Sequence, residues 1–142
     1  MVLNKKGIIK EFELVVYPYH IVAVLGDMEE EVNKLYKPLD EGYDVIGKPK
    51  EGADATTYHV RNKESSVCSE LIWFCDEKSI CNSNITHESN HAALDIFAFI
   101  GAELNYNDQE PFCYLSGAIS RLISGTYKEY LDSKKPKTTK KK

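Results

Sequence analysis

The chain has 142 residues, 42% of them hydrophobic, with 18 Lys and Arg against 22 Asp and Glu. That length and balance fit one globular domain able to bury roughly 68–70% of its unfolded surface without disulfides or a structural metal. They exclude a disordered or fibrous chain, and with no run of 18 apolar residues a transmembrane helix is not expected.

Six of the basic residues lie in 134–142, KKPKTTKKK, so residues 1–133 hold 12 basic against 22 acidic residues, a net of −10. The expected organisation is one domain over 1–133 and a disordered basic tail over 134–142, which has no apolar residue to bury. An acidic body argues against nucleic-acid binding through the folded part. The first 20 residues carry charges inside every apolar run, which is not the pattern of a signal peptide. A cytoplasmic protein is therefore expected. Cys68, Cys75, Cys81 and Cys113 are then expected as reduced thiols.

In chain order, residues 8–17 are rich in β-branched and aromatic types and predict a strand; Pro18 interrupts, and 19–25 continue as a second strand or as the first one bent. Asp27 with Glu30 resembles a capping box, and Met28, Val32, Leu35 and Tyr36 supply an apolar stripe for a helix that Pro38 ends. Gly42, Gly47, Pro49 and Gly52 mark residues 40–54 as mostly loop. Residues 55–62 and 66–75 predict two further strands. In the second, Val67, Leu71, Trp73 and Cys75 share one face, and Cys68, Glu70, Ile72 and Phe74 the other. A helical period runs from about Asn82 to Gly101, and a last helix follows Asp108 as N-cap, with Pro111 in its first turn. The order ββαββαα is an α+β pattern, a small mixed or antiparallel sheet packed against two successive helices.

The informative motif is HESNH at residues 87–91. His87 and His91, four apart, share one face of a helix and can bind a single zinc ion. Glu88 lies about 60° from His91 around the axis, beside such a metal, where a carboxylate acts as a general base on water. A wheel places Asn84, His87, Glu88, His91, Asp95 and Ala98 on one side, and Ile85, Ala93, Ile96, Phe97 and Ile100 on the opposite side. Glu110 follows His91 after 18 intervening residues, at the start of the next helix. The small Gly117 and Ala118 are expected to let the two helices approach. The plain competing reading is a histidine pair on an amphipathic helix, with Glu88 and Glu110 solvated. His20 and His59, in strands, are read as structural or surface histidines.

HESNH, 18 residues and the glutamate of NDQEPFCYL together resemble the gluzincin pattern HExxH…E of zinc metallopeptidases. The resemblance covers mainly residues 67–125. It implies His87, His91 and Glu110 as zinc ligands, Glu88 as general base, a minimal zincin-like fold, and a peptide or protein substrate paired along an edge strand, here 66–75. The chain also looks like small HExxH proteins of tailed phages, which carry an EPFxYL segment; that likeness implies no activity. Gluzincins often have an acidic residue four positions after the third ligand, where this chain has Tyr114, leaving Asp95 or Asn84 to orient a histidine. Tyr106, Tyr114, His59 and Arg121 are alternatives for stabilising an oxyanion. The expected function is a small zinc-dependent metallopeptidase. The alternative is a non-catalytic zinc-binding phage structural or host-interaction protein with a degenerate zincin fold. The oligomeric state is open.

Overall fold

The computed structural model describes residues 1–50 and 53–138. Of the expected tail, 134–138 form an exposed turn and coil after the last helix, and 139–142 lie outside the described residues.

Six strands form one mixed sheet in the order β1-β2-β3-β6-β5-β4. They are β1 (Val2–Leu3), β2 (Gly7–Glu13), β3 (His20–Gly26), β4 (Tyr36–Pro38), β5 (Ala55–Asn62) and β6 (Cys68–Phe74). Among the described residues, three α-helices complete an α+β architecture: α1 (Glu29–Leu35), α2 (Asn82–Ile100) and α3 (Glu110–Ser133). Neighbouring strands are antiparallel except β3 and β6, which run parallel from His20 opposite Ser69 to Leu25 opposite Phe74. The connection between them passes through α1, β4 and β5. Among the described residues no helix is long and apolar enough to cross a membrane.

The period-2 alternation of β3 and β6 divides the core in two. Ile21, Leu25, Ile72 and Phe74 pack with Ala92, Ala93, Ile96 and Phe97 of α2 and Leu115, Ile119 and Ile123 of α3. Val22, Val24, Leu71 and Trp73 pack on the other face with Met28, Val32, Tyr36 and Ile46. β6 is therefore the second central strand of the sheet. This corrects the expectation that 66–75 forms an edge: Leu71, Ile72, Trp73 and Phe74 are all buried, and a strand apolar on both faces belongs inside.

Local details also depart from the sequence pattern. Helix α1 begins after Met28, with no side-chain cap from Asp27, and its chain leaves directly into β4. The N-cap of α3 is Gln109 rather than Asp108, whose backbone closes a turn with Asn105. Helix α2 ends where expected. Gly101 adopts φ +72°, and the Ala102 N–H donates to the Phe97 carbonyl at 2.9 Å, a left-handed stop that favours glycine.

Glycine is also required where β2 meets β3. A Cβ on Gly7 would stand 1.8 Å from the Leu25 carbonyl oxygen, and Gly26 opposite has φ +97°.

Candidate functional site

Helix α2 lies across β5 and β6, and its inward face is Glu88, Ser89, Ala92, Ala93, Ile96 and Phe97. The apolar back expected from the wheel is thus turned so that Glu88 falls inside it. Glu88 is 6% exposed and accepts a 2.5 Å hydrogen bond from Thr57 Oγ1 of β5 at its Oε2. Odd-numbered residues of β5 face the helix. Thr57 meets Glu88, and His59 meets Asp95 two residues further along the strand and seven along the helix.

His87 and His91 stay exposed on the outer side of α2, with their Nε2 atoms 3.1 Å apart and the rings edge to face at 74°. Two ligands on a tetrahedral zinc with bonds of 2.0–2.1 Å stand about 3.3 Å apart, so this separation fits shared coordination. Without a metal, the same separation is that of a ring-to-ring hydrogen bond. His91 and Glu88 line a cleft of about 220 Å³ with Ala55, Thr56, Thr57 and Asp95.

Among the described residues, Glu110 does not join His87 and His91 in a group with donor atoms within 4.8 Å of one another. It is exposed at the start of α3, and that helix meets α2 through Ser116 Oγ to Asn90 Oδ1 at 2.6 Å and Ser120 Oγ to Ser89 Oγ at 3.0 Å. At 100° per residue Glu110 sits about 120° around the axis from Ser116 and about 80° from Ser120. Among the described residues, the one group of three His, Cys, Asp or Glu side chains with donor atoms within 4.8 Å is His59, Glu70 and Asp95. Gly117 does not mediate close helix approach, since a Cβ there would meet only the Arg121 guanidinium at 3.8 Å.

The other expected roles sort by position. Asn84 donates to the Ser79 carbonyl at 2.8 Å, at the start of α2. Asp95 pairs with His59. Tyr114 and Arg121 line a separate apolar groove between α3 and residues 13–17, and Tyr106 is exposed in the α2–α3 turn. His59, through Asp95, is the oxyanion alternative nearest the cleft.

That histidine belongs to a network whose extent the sequence reading missed. Glu70 is fully buried in β6. Its Oε1 lies 2.7 Å from His59 Nδ1 and accepts from the Tyr19 hydroxyl at 3.1 Å. His59 Nε2 is 3.4 Å from Asp95 Oδ2. The hydrogen bond to Glu70 pushes the imidazole up to about 9, against the opposing effect of burial. Burial in turn pushes Glu70 up to about 7, although His59 and Tyr19 both favour its charged form. The Tyr19 phenol is raised well above its ordinary value by burial and by the same carboxylate. A sequence signal for this network existed in the place of Glu70, which shares a strand face with Ile72 and Phe74. A charge at an inward position calls for partners.

Beside the cleft, β5 is only partly covered. Among the described residues β4 pairs with Val60, Arg61 and Asn62, and the Leu39 N–H donates to the His59 carbonyl. The outer edge of β5 over 55–58 has no strand partner among them. No protein-family model, curated protein or solved structure matches this chain.

Proposed function

We propose that this protein is a zinc-dependent hydrolase of peptide or other amide bonds, a minimal relative of the zincin metallopeptidases, with zinc on His87 and His91 and Glu88 as general base. The observation that carries the reading is the 3.1 Å approach of the two Nε2 atoms one helical turn apart, with the buried Glu88 carboxylate in the adjoining cleft. Zinc bound there supplies a water whose pKa falls towards about 7 and a positive charge that polarises a carbonyl.

The chain's own residues do the rest. Thr57 holds Oε2 of Glu88 and leaves Oε1 to accept the proton of the attacking water. As the water oxygen bonds to the carbonyl carbon and the C–N bond breaks, Glu88 returns that proton to the leaving nitrogen. An extended peptide has a docking edge in residues 55–58 of β5, whose outward backbone groups can pair with it. This role moves the substrate strand expected at 66–75 one strand outward. The site of action in this reading is the cytoplasm, that of the host if the protein is phage-encoded.

A second reading is favoured by the placement of Glu110. Among the described residues the pair joins no group of three donors within 4.8 Å, and a zinc-binding protein of structural or host-interaction role needs no turnover at all. One experiment separates the two. Glu88→Gln keeps size and fold and removes the base, so zinc content stays while cleavage of a broad peptide library disappears. His91→Ala removes cleavage together with the zinc held by the histidine pair. A zinc-loaded wild type that cleaves nothing, with Glu88→Gln indistinguishable from it, establishes the non-catalytic reading.

A further inference from the structure

The cluster of His59 on β5, Glu70 on β6 and Asp95 on α2 brings one imidazole and two carboxylates together from three elements far apart in sequence. One donor atom of each lies within 4.8 Å of the others. The two sides of the imidazole are not alike. Nδ1 meets Glu70 Oε1 at 2.7 Å, the short contact to a carboxylate that metal-binding histidines make with the ring nitrogen that does not touch the metal. Nε2 meets Asp95 Oδ2 at 3.4 Å, which is long for a charge-assisted hydrogen bond. It is close to the roughly 3.4 Å between nitrogen and oxygen ligands on a tetrahedral zinc.

A second observation is independent of those two contacts. Glu70 is 0% exposed, and its Oε2 is buried with no hydrogen-bond partner among the described residues. A protonated His59 accounts for Oε1 and for Asp95, but it leaves Oε2 bare. A buried carboxylate is ordinarily balanced by donors or by nearby positive charge, and a cation beyond the imidazole supplies that charge without touching Oε2. Asp95 also lines the cleft between β5 and α2, which gives an ion a route in from solvent.

We propose that His59, Asp95 and Glu70 form a divalent-cation site separate from the His87–His91 pair. His59 Nε2 and Asp95 are the direct ligands. Glu70 orients the imidazole through Nδ1 and supplies the buried negative charge that a cation offsets. One imidazole with carboxylates suits zinc among the common divalent ions.

The test is a zinc titration of full-length protein stripped with a chelator and read by competition with a chromophoric zinc indicator. His87→Ala/His91→Ala removes the motif pair, and about one zinc per chain is expected to remain bound, as a single site requires. Adding Asp95→Asn to that background should weaken the remaining binding at least tenfold, and adding Glu70→Gln about 10- to 100-fold. Asp95 has a side chain 36% exposed, so its replacement spares the core, and circular dichroism checks that each variant is folded. A folded His87→Ala/His91→Ala protein that binds no zinc, or one whose binding is unchanged by Asp95→Asn, overturns the site. The hydrolase reading fails separately. In that case removing the two histidines leaves wild-type zinc binding unaltered, and Asp95→Asn alone abolishes it.

Discussion

Replacing Glu70 by Gln in metal-free protein should flatten the dependence of stability on pH. Glu70 keeps its proton up to about pH 7 in the folded chain and His59 up to about pH 9, both above their ordinary values of 4.5 and 6.5. Each group therefore binds more protons folded than unfolded as pH rises, Glu70 between about 4.5 and 7 and His59 between about 6.5 and 9. Stability falls with rising pH across both windows. The two shifts describe one coupled pair, because a proton kept on Glu70 weakens the reason for His59 to keep its own. Counting one of these windows, about 2.5 pH units wide, at about 1.4 kcal/mol per unit gives roughly 3.5 kcal/mol. Solvent screening at the partly exposed His59 reduces this to about 2 kcal/mol. The assay is urea denaturation in chelator at pH 5, 7 and 9. Wild type should lose about 2 kcal/mol more than Glu70→Gln between the extremes, with the urea dependence itself unchanged. Parallel pH profiles for the two proteins would refute the idea that this pair exchanges protons on folding.

Three further outcomes follow from the packing and from the placement of Glu110. Ile96→Ala empties a fully buried position between α2 and the sheet and should cost about 2–5 kcal/mol in denaturant unfolding. Gly7→Ala drives a methyl group to within 1.8 Å of the Leu25 carbonyl oxygen, so β2 and β3 must separate; thermal melts should show a loss of about 3 kcal/mol or no cooperative folding. Glu110→Ala, at an exposed helix start, should change stability by less than about 0.5 kcal/mol and leave zinc affinity unaltered, and a large fall in affinity on direct titration would restore it as a ligand.

Period and punctuation in the sequence were enough to place the long elements. The span 55–62 is a strand end to end, and α2 runs from Asn82 until Gly101 turns it left-handed, because alternation, helical period and a glycine stop are local properties of the chain. The approach of His87 to His91 is equally local, since residues four apart on any helix are neighbours. Sequence alone did not decide the order of the strands. A run apolar on both faces was legible in Leu71–Ile72–Trp73–Phe74, but the parallel pairing with β3 that puts it inside the sheet depends on a connection through α1, β4 and β5. Nor did it decide the rotation of α3 about its axis, in which Ser116 and Ser120 meet α2 and Glu110 is exposed at the helix start. The union of His59, Glu70 and Asp95 belongs wholly to the tertiary structure. Three residues from two strands and a helix meet only when the sheet and α2 pack; burial at that junction raises Glu70, and the hydrogen bond to Glu70 raises His59.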